Sequence, residues 1–425
     1  MSAWPDRYAG KTPYHGDAAF TRETLKTLVK AHGMRFVVIA ETNHDNAPEL
    51  LAGGNILVLR VIDHGKIRLY PTILSWLSKF PAIRHVTVHS NFTYSGLQHF
   101  VALIPFLGLI KLTNRRVTLV AHNVVNSLDF LAHQLDITNA FVIKLLNAGT
   151  KLYNRLLGRV VDDLIVLDAE GQKIMSNYVK AEKIIYNPHW VKPRILPMSK
   201  RKAKAMLSIP GKTKVILCFG FISWYKGSDA FAKLFANTTK ESSDYHLIFA
   251  GGKAPSLSGK PHYDAYYQEF SEFVAKQPNM TLTGFLPDNR IGLYFAASDM
   301  VVLPYRGLMG GSGALGWTIG YAKPFVLSTH MGVILKNPDV SNALITNKLS
   351  HYDVLFPPTA SGVELILQRL DTPAYISKVM SLSKQLRLDR NIERITDALY
   401  TKVYQPYRTQ ITHIPSYALS QTAFS

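Results

Sequence analysis

The chain has 425 residues, 47% of them hydrophobic, with 27 glycines and 22 prolines, which suits two ordinary domains with a core each better than one. Its 48 Lys and Arg outweigh 29 Asp and Glu for a formal net charge of +19, which suggests an anionic partner: a sugar nucleotide, anionic lipid headgroups or nucleic acid. No paired Cys and His, aromatic RNA-binding motif or helix-turn-helix accompanies the charge, so no nucleic acid is expected and an anionic membrane surface fits better.

The opening segment, MSAWPDRYAGKTPYHG, lacks the apolar run of a signal peptide. The single Cys218 permits no intrachain disulfide and points to a reducing compartment. The expected location is therefore cytoplasmic, peripheral on the inner face of the membrane. A helical pattern covers residues 18–32, and strands are predicted at 36–41, 56–61, 85–89, 117–121, 163–167 and 183–186. The longest apolar run, LQHFVALIPFLGLIKL at 97–112, falls short of the ~20 residues a spanning helix needs. Pro105 and Gly108 interrupt it, so it reads as a buried or interfacial helix. Residues 139–159 set Lys144, Lys151, Arg155 and Arg159 among Phe141, Leu145, Leu152 and other apolar side chains. That pattern fits a helix lying on an anionic bilayer, and equally a core-facing helix with a solvated basic side.

Residues 192–204, KPRILPMSKRKAK, are rich in Pro and base and poor in core residues, and read as an interdomain linker. Beyond them strands are predicted at 215–219, 246–250, 280–282, 300–303 and 325–327. Residues 391–407 read as a terminal helix, and the tail after 408 as polar and loosely ordered. Strands alternating with helices mark an α/β chain.

Two stretches carry chemistry. Residues 303–324, LPYRGLMGGSGALGWTIGYAKP, join a strand to a helix through a loop holding Gly307, Gly310, Gly311, Ser312 and Gly313. Such a loop exposes backbone N–H groups at a helix N-terminus, where the dipole favours a phosphate or diphosphate. Glycines that merely close a tight turn are the alternative. Upstream, the strand VILCFGF ends in ISWYKG, where Lys226 stands beside a helix that Ser228 can cap. A lysine there is a sensible point charge for a phosphate, or else a solvated surface lysine.

At these residues the chain resembles family 4 glycosyltransferases of the GT-B fold. FGFISWYKG (219–227), LTGFLPD (282–288) and YFAASDMVVLPY (294–305), followed by SGAL and YAKP, carry the resemblance. It is specific over 214–328 and collinear but weaker over 14–188. It implies two Rossmann-like domains with a cleft between them: 1–191 for the acceptor, a linker at 192–204, 205–385 for the nucleotide-sugar, and 386–425 crossing back to the first domain before the polar tail. It further implies transfer of a sugar from a nucleotide-diphosphate sugar to a glycan or lipid-linked acceptor, in cell-surface polysaccharide or glycolipid synthesis. A non-catalytic sugar-nucleotide or glycan-binding partner in an assembly complex is the second reading.

The resemblance places Gly220, Lys226, Phe285, Leu286, Gly311, Ser312 and Gly313 on the donor, and Gly16 on the acceptor side. His122, ending the strand VTLVAHN, is the expected catalytic residue, whereas His89 is kept structural. No D-x-D pair occupies a strand-end loop, and the adjacent Asp162 and Asp163 precede a strand, so neither a metal nor another cofactor is expected. Ser223 stands where the family carries an arginine, and Arg306 is offered as the replacement cation. Gly310 and Trp317 stand where many relatives carry two glutamates, as in a subgroup with S-G-x-L there. The family's opening strand, before YHGD (14–17), is either very short here or missing.

Overall fold

The computed structural model describes residues 16–42, 46–62, 69–90, 92–127, 129, 139–240, 242, 244–255, 257–307 and 311–406. They fall into two compact units, one within Met1–His133, Ile137–Pro188 and Ile392–Ser425, the other within His189–Asn391. The opening strand and the tail after 408, both raised by the sequence, lie outside the described residues.

In the first unit, β1 (Phe36–Glu41), β2 (Glu49–Leu51) and β3 (Ile56–Ile62) form a sheet of order β1-β3-β2, with β1 parallel and β2 antiparallel to β3. A second sheet runs β4 (His85–Ser90), β5 (Arg116–Ala121), β6 (Asp163–Val166) and β7 (Ile184–Tyr186), all parallel. Side chains alternate between its faces. Val117, Leu119, Leu164 and Val166 meet Leu103, Phe106, Leu107 and Ile110 of the helix Phe92–Leu112. Val120 and Ile165 meet Leu28 of the helix Gly16–His32, with Leu399, Tyr400 and Val403 from the chain's end. The apolar run at 97–112 is thus part of a core helix. Among the described residues no helix is long and apolar enough to cross a membrane.

The second unit is one parallel sheet: β8 (Lys214–Phe219), β9 (Tyr245–Ala250), β10 (Met280–Leu282), β11 (Met300–Leu303), β12 (Phe325–Ser328) and β13 (Leu355–Phe356). Its order, β10-β9-β8-β11-β12-β13, reverses direction between β8 and β11. Val215 and Leu217 pack on one face with Phe295 and Tyr321, Ile216 and Cys218 on the other with Phe231 and Phe235. Both faces are buried, which is why these strands read as unbroken apolar runs.

Leu196 and Met198 of residues 192–204 pack on the core of the second unit. Ser199 caps the helix Lys200–Met206, accepting from the Lys202 N–H. Lys204 is buried and donates to the Thr213 carbonyl at 2.6 Å and to Asp299 at 2.9 Å, while Lys200 reaches Asp299 at 2.5 Å. The counter-charge of the basic run lies 95 residues onward from Lys204.

Candidate functional site

In an open parallel sheet, ligands bind beyond the carboxyl ends of strands where the strand order reverses. Here that point lies between β8 and β11. The loop after β8 forms a short 3₁₀ turn, Trp224–Lys226, closed by Gly227 at φ 68°. The loop after β11 runs from Pro304 to the helix Gly313–Gly320. The two loops are stitched together: Arg306 N–H donates to the Tyr225 carbonyl at 2.8 Å. A methyl group on Gly227 would overlap the Pro304 carbonyl oxygen, at 2.1 Å, so only glycine permits this approach.

Lys226 points into a small pocket lined by Phe219, Gly220, Ser228, Pro304 and Tyr305. Burial pulls its ammonium down to about 8. Among the described residues Nζ has no carboxylate partner, and the Tyr305 ring centroid is 5.9 Å away. Gly220, at φ 111°, stands where two groups converge: a methyl there would sit 2.8 Å from Lys226 Nζ and 3.8 Å from Ala314 Cβ. Ser312 caps the helix by accepting from the Leu315 N–H at 3.2 Å. The N–H groups of Gly313 and Ala314 have no acceptor among the described residues, as the first turn of a helix requires. Gly311 and Gly313 are exposed, and Ser312 partly so. The strand-end lysine and the open helix terminus thus share one place.

Arg306, offered by the sequence as a replacement cation, is paired with Asp229. Its guanidinium grips Asp229 through two bonds of 2.8 and 2.7 Å, donates to the Trp224 carbonyl, and lies over the Trp224 ring. Burial alone would raise the Asp229 carboxyl, but the hydrogen bonds and charge of Arg306, with the hydrogen bond from Tyr266 and a backbone N–H, together outweigh it and hold it below its ordinary value. The pair is formally neutral and fixes the shape of the β8 loop. Ser223 supplies no charge, and its Oγ is buried without a hydrogen-bond partner among the described residues. Trp317, where relatives carry a glutamate, packs against Phe219 and carries the Arg194 guanidinium 3.2 Å above its ring. Gly310 lies outside the described residues.

Three more glycines shape the neighbouring strand ends; of these the sequence singled out only the loop LTGFLPD that holds Gly284. A methyl on Gly251 would strike the Gly220 carbonyl at 2.1 Å, and one on Gly252 the Phe285 nitrogen at 2.6 Å. Gly284 adopts φ 71°. The Gly251–Gly252 doublet after an apolar strand was the available signal. Phe285 is 56% exposed, and its ring lies 6.4 Å from that of Phe221 at an angle of 13°. Leu286 instead packs on the core.

In the first unit, His122 follows β5 and is buried. Its Nε2 lies 3.0 Å from Nδ1 of His89, at the end of β4. Phe20 sets its edge toward both rings, at 5.6 and 6.4 Å, and Thr21 Oγ1 is 3.4 Å from His89 Nδ1. Burial, then the neighbouring His122, holds His89 well below its ordinary value, so it stays neutral. Sequence alone kept these histidines apart in role; parallel pairing of β4 with β5 makes them one group. Gly16, expected in a substrate loop, is the first residue of the helix Gly16–His32.

Asp162 and Asp163 serve the fold. Asp162 accepts from Lys111 and the Val117 N–H, and Asp163 from Arg116 and Thr118. Among the described residues no three His, Cys, Asp or Glu are grouped to hold a metal.

Comparison with known proteins accords with this geometry. Residues 199–314 match a family model described as "Glycosyl transferases group 1". A UDP-N-acetylglucosamine–N-acetylmuramyl-(pentapeptide) pyrophosphoryl-undecaprenol N-acetylglucosamine transferase of Acetivibrio thermocellus is 22% identical over 156 residues, 37% of this chain and only 38% of that protein's length. Among solved structures, sucrose-phosphate synthase from Thermosynechococcus elongatus superposes with a TM-score of 0.68 at 16% identity, over 93% of this chain and 94% of that one. HepE of Anabaena, solved with UDP and glucose, gives 0.63 at 13% identity, over 92% and 98%. The chain has the GT-B fold, with two Rossmann-like units, and the likenesses support a glycosyltransferase.

Proposed function

We propose that this chain transfers a sugar from a nucleotide-diphosphate sugar to a glycan or lipid-linked acceptor at the cytoplasmic face of the membrane, in cell-surface polysaccharide or glycolipid synthesis. The observation that carries the reading is Lys226: a cation without a carboxylate partner, beside the open N–H groups of Gly313 and Ala314, at the point where the strand order reverses. Such a group suits a leaving diphosphate, whose charge grows in the transition state. A lysine and a helix terminus meet that charge without calling for a metal. His122 is assigned to the sugar or the acceptor hydroxyl, held by His89. The HepE structure, solved with UDP and glucose, supports a nucleotide-sugar as the donor class.

A second reading has an observation of its own. Ser223 and Trp317 stand where the family resemblance implies an arginine and a glutamate, and neither offers a charge to a donor. A binding partner without turnover would tolerate both. A screen of nucleotide-sugars, following nucleoside diphosphate release and calorimetric binding together, separates the two. Release that Lys226→Ala abolishes supports transfer. Binding of a nucleotide-sugar without release, across a panel of glycan and lipid acceptors, supports the second reading. Neither binding nor release sinks both.

A further inference from the structure

The helix Ala140–Val160 carries large apolar side chains on its outward face as well as on its inward one. Inward, Leu157 is buried in the core with Tyr153 and Val160 packed against it, and Thr150 and Asn154 are buried beside them. Thr150 donates back to the Leu146 carbonyl, and Asn154 donates to the Val125 carbonyl at 3.1 Å. Its exposed residues include Phe141 at 73%, Leu145 at 63% and Leu152 at 54%. A surface helix ordinarily keeps large apolar side chains to its inward stripe.

These residues form faces. At about 100° per residue, Phe141, Leu145, Ala148 and Leu152 fall within about 60° of one another, and Thr150, Asn154 and Leu157 lie opposite. Lys144, Lys151 and Arg155 fall together along one flank, and Arg159 closes the stripe at its C-terminal end. All four bases are exposed, and none has an ion-pair partner among the described residues. The helix contains no acidic residue. The stripe from Phe141 to Leu152 runs for about 16 Å at ~1.5 Å per residue. A protein partner of ordinary composition would be expected to answer four clustered bases with carboxylates; an anionic bilayer answers them with phosphates and takes the apolar stripe as well.

We propose that the exposed face of the helix Ala140–Val160 is a membrane-docking surface: Phe141, Leu145 and Leu152 enter the headgroup–acyl boundary of an anionic bilayer, and Lys144, Lys151, Arg155 and Arg159 sit among the lipid phosphates. The helix lies in the interface and does not span it. This goes beyond sugar transfer and holds whether or not a donor is turned over.

The test is sedimentation of the full chain with phosphatidylcholine vesicles, with and without phosphatidylglycerol. Wild-type protein binds the mixed vesicles and is released as salt rises, since exposed charges are screened beyond roughly 8 Å at physiological ionic strength. The variant Phe141→Ser/Leu145→Ser/Leu152→Ser loses about ten-fold or more of its partitioning, because buried apolar area sets the strength of such binding. Lys144→Gln/Lys151→Gln/Arg155→Gln abolishes the preference for phosphatidylglycerol. All six substitutions are on exposed residues, and an unchanged thermal melt shows that the fold is kept. Wild-type binding by the serine variant overturns the proposal, as does equal binding to both vesicle types. A concentration-dependent dimer that the serine variant abolishes, with no vesicle binding, assigns the face to a second copy of the chain and overturns it too.

Discussion

Nε2 of His122 and Nδ1 of His89 lie 3.0 Å apart inside the first unit, so one neutral ring donates its proton to the other. That bond fixes which nitrogen of His122 is left for anything else. His122→Ala is expected to lower turnover more than donor affinity, since an orienting contact counts most in the transition state. His89→Phe keeps the ring and removes the partner nitrogen. It should lower turnover in the same direction, by a smaller factor, and leave calorimetric donor affinity unchanged. Wild-type turnover in His122→Ala would return both histidines to the fold.

Lys226 gives a pH dependence with a definite sign. Its ammonium is pulled down to about 8 by burial, and an anionic diphosphate would favour the charged form. Donor affinity should therefore be full below about pH 8 and fall above it, toward ten-fold per pH unit. Lys226→Ala should lower affinity about ten-fold or more, losing ~1.5–3 kcal/mol of a charge-assisted bond, and flatten the profile. A variant that keeps the alkaline fall would place the titrating group elsewhere.

The Arg306–Asp229 pair separates a phosphate ligand from a loop staple. If Arg306 served the donor, Asp229→Asn would free it and raise affinity. A staple predicts the reverse: Asp229→Asn and Arg306→Ala each lower donor affinity by loosening the turn Trp224–Lys226, and the double variant is no worse than either alone. Isothermal titration of the four proteins reads the cycle directly.

Two half-buried histidines should make the first unit acid-sensitive. Burial lowers His85 to about 4, and His89 is also held well below its ordinary value. The unfolded chain takes up these protons near pH 6.5, and the native chain does so only at lower pH. Stability should then be complete above about pH 6.5 and decline as pH falls toward about 4, on the order of 3 kcal/mol from His85 alone. Urea midpoints measured between about pH 7 and 5 should fall less steeply in His85→Gln than in wild type.

Much of the second unit was legible, because parallel strands buried on both faces leave unbroken apolar runs and glycine marks their ends. The five strands expected there each appear within one residue of their predicted bounds. The strands β2 and β13, three and two residues long, are too short to show a period. Partners remote in sequence were the other blind spot. Nothing in KPRILPMSKRKAK announces Asp299, and nothing in PYRG announces that Asp229 holds Arg306. The histidine pair was hidden for the same reason: 33 residues separate two strand ends that the sheet sets side by side.

The chain's single thiol has a practical consequence. Cys218 lies within the core of the second unit, and burial pushes its pKa upward, so at neutral pH it offers almost no thiolate to a maleimide. Any cysteine placed on the surface would be labelled alone. A dye at Leu145→Cys or at Ile345→Cys, 63% and 72% exposed, would mark one unit at a time, without first removing a native cysteine.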